Sequence, residues 1–254
     1  DMVNPTVSGV ASGAVSCLTP SVTLTASSNL PTAIFKWTGP NNYTSNNAIT
    51  AVSVPGTYTI TATNPQNGCT ASALVVVGGN TTPPTVTAAA NNMLTCTIFT
   101  VQLSGAVQPV NGTTYKWTGP NNFSSNLLNP GVSSPGVYTL TATSQANGCT
   151  ASASATVVLN NSSPSLSATG GTKTCTNPTV TLKANSTVPG LTFYWTGPGG
   201  FTSGLQNPVV SVAGFYTVLA TNPVNGCTNS AGVNVASNLA VPVLLTNTST
   251  ITCA

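Results

Sequence analysis

The chain has 254 residues, 40% of them hydrophobic and only 2% charged: four lysines, one acid (Asp1), no arginine and no histidine. Without histidine there is no Ser-His or Cys-His nucleophile system, and one carboxylate supplies neither the acid pair of a glycosidase nor the oxygen ligands of a calcium site. Four scattered lysines make no nucleic-acid footprint and no apolar run is long enough to span a membrane, so we expect no enzyme, no cofactor, no nucleic-acid partner and no membrane span in this sequence.

In chain order, the first strand signal is SVTLTA at 21–26, where apolar and polar residues alternate; TYTITAT at 57–63 and SALVVV at 72–77 follow. Between them lie the turn sequences SNLPT (28–32), TGPNN (38–42), VPG (54–56) and NPQNG (64–68). The same elements then recur. Trp37, Trp117 and Trp195 are 80 and 78 residues apart, and Tyr58, Tyr138, Tyr216 and Cys69, Cys149, Cys227 keep those intervals. A second cysteine series, Cys17, Cys96, Cys175 and Cys253, steps by 79, 79 and 78 residues. Such a period marks one small domain per unit. The expected units are 1–79, 80–159 and 160–237, with the start of a fourth at 238–254.

Short strands with turns between them predict an all-β chain, a tandem array of immunoglobulin-like antiparallel β-sandwiches. Trp37, Trp117 and Trp195 take the place of the core tryptophan on the third strand, 11 or 12 residues after Ala26, Gly105 and Ala184. Gly-x-Tyr at 56–58, 136–138 and 214–216 places Tyr58, Tyr138 and Tyr216 at a tyrosine corner, the ring in the core. The usual cross-sheet disulfide is absent, because Ile60, Leu140 and Val218 stand at its second position. Tyr43, Phe123 and Phe201 follow the Trp-Thr-Gly-Pro turn. They either fold back over the tryptophan edge or stand exposed as stacking surfaces for sugar rings.

The cysteines require an oxidising compartment. Pairing within a repeat (Cys17–Cys69, Cys96–Cys149, Cys175–Cys227) is favoured, Cys253 then pairing outside the sequence; each loop of about 50 residues is worth roughly 4 kcal/mol in the chain-entropy model. Simple sandwich topology puts the two cysteines of a repeat at opposite ends, however, and staples between neighbours, Cys17–Cys149 and Cys96–Cys227, remain open. The spacing is the same for both schemes. Asn-x-Ser/Thr sequences at Asn42 and Asn122, in equivalent places, are candidate sugar acceptors, with six further matches elsewhere.

LTC at 94–96, PTVTLKA at 178–184, YWTGPGGFTS at 194–203, QNPVVSVAGFYTV at 206–218 and NPVNGCTNSAG at 222–232 recur through the units. In them the chain resembles the tandem immunoglobulin-like repeats of very large cell-surface proteins exported by the type IX secretion system of Bacteroidota, including gliding-motility adhesins of the SprB type. The resemblance implies an extracellular stalk or filament at the cell surface, anchored and tipped by other parts of a longer protein, and carries over no catalytic residues. The Pro-rich links NTTPPTV (80–86), NSSPSL (161–166) and NLAVPVLL (238–245) fit domains joined end to end. The partners expected are neighbouring repeats of the same chain. Surface polysaccharide bound by Tyr43, Phe123 and Phe201, or other copies of the filament joined edge to edge, are the alternatives.

Overall fold

The structure, a computed structural model, describes residues 4–239. Cys253 and the fourth-repeat start, apart from its first two residues, lie outside the described residues. The first nine strands are β1 (Val7–Ala11), β2 (Val15–Ser16), β3 (Val22–Ser28), β4 (Ile34–Gly39), β5 (Tyr43–Ser45), β6 (Ile49–Val52), β7 (Gly56–Thr63), β8 (Thr70–Val77) and β9 (Gly79–Asn80). No α-helix occurs among the described residues; a single 3-10 turn, Pro40–Asn42, separates β4 from β5.

Alternation decides which side chains meet. Along β3, Val22, Leu24 and Ala26 are buried while Thr23 and Thr25 point outward, and along β7 Tyr58, Ile60 and Ala62 are buried. One sheet has the order β1-β3-β6 and the other β5-β4-β7-β8, all pairs antiparallel. Their inner faces share one core, in which Val22, Leu24 and Val52 from the first sheet pack with Trp37, Tyr58, Ile60, Val75 and Val77 from the second. Two sheets in this order, with the tryptophan on β4 and a tyrosine corner opening β7, make an immunoglobulin-like sandwich.

The pattern recurs twice. Strands β10 (Thr85–Ala90), β11 (Leu94–Thr95), β12 (Val101–Gln108), β13 (Thr113–Gly119), β14 (Phe123–Ser125), β15 (Gly131–Val132), β16 (Gly136–Ser144), β17 (Thr150–Val157) and β18 (Leu159–Asn160) form sheets β10-β12-β15 and β14-β13-β16-β17. Strands β19 (Ser167–Thr169), β20 (Thr172–Thr174), β21 (Val180–Thr181), β22 (Lys183–Asn185), β23 (Thr192–Gly197), β24 (Phe201–Ser203), β25 (Val209–Val210), β26 (Gly214–Thr221) and β27 (Thr228–Asn238) give a sheet β20-β27-β26-β23-β24 opposite the pairs β19-β22 and β21-β25. By density of contacts the chain forms two compact units. Among the described residues, one holds 4–91 with Gln102–Val157; the other holds Asn92–Val101 and 158–239. The short stretch Asn92–Val101, within the second sequence repeat, thus belongs with the third.

Each repeat also has a short parallel pair: β2 with β9 (Val15↔Gly79), β11 with β18 (Leu94↔Leu159) and β20 with β27 (Thr172↔Ala236). The strand just before the first cysteine therefore lies beside the strand that leaves the repeat. Gly56 pairs with Val77 at that same end, and β7 runs away from it for eight residues to Thr63, where the turn carrying Cys69 begins. At about 3.3 Å per residue the two cysteines of a repeat are separated by the length of a strand, well beyond disulfide reach. The expectation of within-repeat pairing is therefore corrected.

Candidate functional site: the joint between repeats

The bonds that form are Cys17–Cys149 and Cys96–Cys227, with Cα–Cα distances of 5.0 and 5.1 Å. Each joins the cysteine before the second long strand of one repeat to the Asn-Gly-Cys turn of the next. Both halves are built from local hydrogen bonds. In the first half, the backbone N–H of Ser16 donates to the Thr19 carbonyl (2.8 Å), and the Ser16 hydroxyl accepts from the Thr19 N–H (3.0 Å). Thr95 and Ile98 repeat this at 2.9 and 3.0 Å, and Thr174 and Asn177 at 3.0 and 3.0 Å. In the other half, the Gly148 N–H donates to the Ser144 carbonyl and the Ser144 N–H to the Cys149 carbonyl, at 2.8 and 2.9 Å. The turns at 64–69 and 222–227 are closed by the same bonds.

Two asparagines that a reading of the sequence takes only as turn residues organise the joint. Asn147 is buried, and its Nδ2 donates to Asn80 Oδ1 (3.0 Å) and to the Thr82 carbonyl (2.9 Å) in the link between repeats. Its Oδ1 accepts from the Cys149 N–H at 2.9 Å, and its own carbonyl accepts from the Leu18 N–H at 3.2 Å. Asn225 repeats the set with Asn160 Oδ1 (2.9 Å), the Ser162 carbonyl (3.0 Å), the Cys227 N–H (2.9 Å) and the Cys96 N–H (3.1 Å). Each buried carboxamide thus has its donors and its oxygen engaged, which removes the cost of burying it. The only available signal was the position, two residues before each turn cysteine; a neutral clamp is what a chain with almost no charge can build.

Glycine completes the seat. A Cβ on Gly148 would lie 2.2 Å from Leu18 Cγ, and one on Gly226 2.5 Å from Thr97 Cγ2, so the residue after each first-half cysteine packs where a side chain would stand. Both glycines have positive φ, +70° and +68°.

The Trp-Thr-Gly-Pro cassette belongs to the core. Trp37, Trp117 and Trp195 are fully buried, and Tyr58, Tyr138 and Tyr216 nearly so. The tyrosine hydroxyls donate to the carbonyls of Val54, Ser134 and Val212 at 2.8, 2.8 and 2.7 Å. Gly39, Gly119 and Gly197 lie under those rings, a built Cβ falling 2.3 Å from the ring carbon in each case. Tyr43, Phe123 and Phe201 are half-buried and meet the edges of Tyr58, Tyr138 and Tyr216 at ring separations of 5.5, 5.2 and 5.5 Å, and Tyr43 also shares a hydrogen bond with the Thr50 hydroxyl. Their partner is the corner tyrosine, where the sequence offered either the tryptophan edge or an exposed stacking position. Tyr43 and Phe123 line small clefts: 180 Å³ with Pro40, Asn41 and Val54, and 330 Å³ with Pro120, Asn121 and Ser134. Asn41, Asn42, Asn121 and Asn122 have φ between 54° and 59°, and Gly199 and Gly200 replace them in the third repeat. The Asn-Asn pair is accounted for by this left-handed turn, which asparagine and glycine tolerate best.

No known protein family's profile matches the chain, and no curated protein matches it. Among solved structures it is similar to Sidekick-1 immunoglobulin domains 1–5 (15% identity, 93% of this chain and 60% of that one, TM-score 0.32). It is similar also to the three N-terminal domains of the bacteriophage RB49 Highly Immunogenic Outer Capsid protein (12%, 94% and 99%, 0.34) and to titin domains I67–I69 (14%, 94% and 100%, 0.34). At these TM-scores the likenesses add nothing to the strand order and tyrosine corners, on which the fold assignment rests. The chain spans 60% of the length of the Sidekick-1 structure.

Proposed function

We propose that the chain is a tension-bearing run of repeats in the extracellular stalk of a large cell-surface adhesin. The repeats serve to hold one another, and the adhesive and anchoring parts belong to the rest of a longer protein. The observation that carries this reading is the joint. Consecutive repeats are connected twice, once by the link and once by a disulfide, and the same neutral asparagine clamp is used both times. Two disulfides belong to an oxidising, extracellular setting. No helix among the described residues is long and apolar enough to cross a membrane. We take the repeats as 1–79, 80–159 and 160–237, the fourth starting at 238. The repeated motifs favour export by the type IX route and a role in attachment or gliding. A non-enzymatic role follows from a sequence with no histidine and one acid.

The test is to image the native protein on the cell by cryo-electron microscopy with an antibody against one repeat. Label spaced along thin filaments leaving the cell is the expected result, and label confined to a compact coat or to released material overturns the stalk reading.

A second reading, weak multivalent binding of polysaccharide, draws on the clefts beside Tyr43 and Phe123 recurring in two repeats. It is the lesser reading because each ring already packs against the tyrosine corner. Glycan binding that vanishes in Tyr43→Ala and Phe123→Ala proteins of unchanged stability would reverse that order.

A further inference from the structure

The three repeats differ on one outer sheet face. In the third repeat β23, β26 and β27 turn Tyr194, Phe215, Leu219 and Gly232 outward. Repeats one and two carry Lys36 and Lys116 in place of Tyr194, Thr57 and Val137 in place of Phe215, Thr61 and Thr141 in place of Leu219, and Leu74 and Ser154 in place of Gly232. Tyr194 is 53% exposed and Phe215 63%, and the exposed Leu219 is the cross-strand partner of Tyr194. Single exposed apolar residues are ordinary, but three on one face mark a place of contact. Repeat two has a joint at each end and still exposes Lys116 and Val137, so neighbouring repeats leave this face open.

Two of the changes fit each other. A Cβ on Gly232 would lie 2.3 Å from Phe215 Cζ, so the ring leans across β27 and fills the place of a side chain. Phe215 pairs with Asn234 and Gly232 with Thr217, so the ring runs toward the row that holds Tyr194. Laid over the strand and mostly exposed, it offers a face to solvent. In repeat two the hydroxyls of Thr139 and Ser154 share a hydrogen bond at 3.0 Å; with Gly232 opposite, the Thr217 hydroxyl is left without that partner. The only charged residue of this five-stranded sheet is Lys173, whose ammonium donates to the Ser211 carbonyl at 2.8 Å.

We propose that this face of the third repeat binds a neutral polysaccharide, Tyr194 and Phe215 each stacking on a sugar ring. A pyranose presents an apolar face of C–H bonds, which the negative face of an aromatic ring attracts, and a rim of hydroxyls, for which Thr217 and Asn234 supply partners. The two aromatic residues are separated by four positions along the strand and one strand across. That is about 14 Å between Cα atoms, so the ligand is an extended chain of sugars and not a single one. An anionic polymer finds no cation here. The site is separate from the clefts beside Tyr43 and Phe123, and it stands whether or not the array is a stalk.

The test measures depletion of the full chain from solution by insoluble cellulose, curdlan (a β-glucan) and agarose (a galactan), in low salt and in about 1 M salt. Depletion by at least one of them, equal in both salts, is expected. Tyr194→Lys and Phe215→Val install residues that other repeats carry at these places. Each should weaken the binding about tenfold, the worth of one aromatic contact. Tyr194→Lys lies away from the glycine and decides alone where Phe215→Val disturbs the strand. No depletion by any of the three, or depletion that salt abolishes or that Tyr194→Lys leaves intact, overturns the proposal. Loss in Tyr43→Ala and Phe123→Ala proteins, with Tyr194→Lys unaffected, moves the binding to the clefts and overturns it as well. So do dimers that Tyr194→Lys separates without any depletion, since the face then belongs to a second copy of the chain.

Discussion

At the scale of single residues, the repeated tryptophan cassette is explained by the tyrosine ring above it. Gly39 has ordinary extended backbone, so its requirement is for space alone: Tyr58 Cδ1 would lie 2.3 Å from an added methyl, and the ring is held by its hydroxyl on the Val54 carbonyl. Gly39→Ala should therefore destabilise by about 1–3 kcal/mol, the usual cost of overpacking, read from the midpoint of denaturant unfolding; a loss within error would mean that the ring moves aside freely. The same tyrosines set the response to pH. Burial pushes the Tyr58, Tyr138 and Tyr216 hydroxyls above their ordinary value of 10.0, with Tyr43 adding to the effect at Tyr58. Since the folded pKa is raised, the contribution is intact below the unfolded value and is lost as pH rises through the folded one. With no histidine and one acid, stability should be nearly flat from about pH 5 to 9 and fall above about pH 10. Thermal unfolding followed across that range checks this, and a decline already under way near pH 7 contradicts it.

At the scale of elements, the link between repeats is ordered by one side chain. Asn147→Ala deletes the two donors that hold Asn80 and Thr82 and the acceptor for the Cys149 N–H, leaving these groups without the asparagine. A local loss of about 2–3 kcal/mol follows from polar groups stripped of their partners, and amide exchange at residues 80–82 should quicken while that in β7 does not. Asn147→Asp should be at least as disruptive, because a carboxylate oxygen then faces the two oxygens that Nδ2 now serves; protection unchanged in both variants would remove the clamp from the account. What was legible in the sequence follows the same division. Strand alternation and the Trp and Tyr positions are local patterns with a period of two or a fixed offset, and Val22, Leu24 and Trp37 fall in the core accordingly. Disulfide partners are not local: Cys17 is followed by Cys69, Cys96 and Cys149 in an evenly repeating series, so spacing fits either scheme, and only the parallel pairing of β2 with β9 shows at which end Cys17 lies. The ring partner of Tyr43 was hidden for a related reason, since the left-handed Asn41-Asn42 turn, which no alternation encodes, redirects β5 toward Tyr58.

At the scale of the whole molecule, the two staples interlace. Cys96 lies inside the loop that Cys17–Cys149 closes, and the bonds span 132 and 131 residues. A chain pulled by its ends cannot release those loops while the bonds hold. The shortest covalent path runs to Cys17, across to Cys149, back along the chain to Cys96, across to Cys227 and onward. That path contains roughly 100 residues, so the oxidised chain should stop extending near about 340 Å, against about 860 Å for the reduced chain, at about 3.4 Å per residue. Force spectroscopy on the chain held at both termini, with and without reductant, measures this directly. Breaking one staple by Cys17→Ser should give an intermediate limit, because Cys96–Cys227 then shields only its own loop. If the oxidised chain extends as far as the reduced one, the bonds are not carrying the tension and the mechanical role of the joint fails. If the limit holds, a repeat that opens under load surrenders only part of its length, and the force stays on neighbours that are still folded, which is the property that the proposed stalk requires.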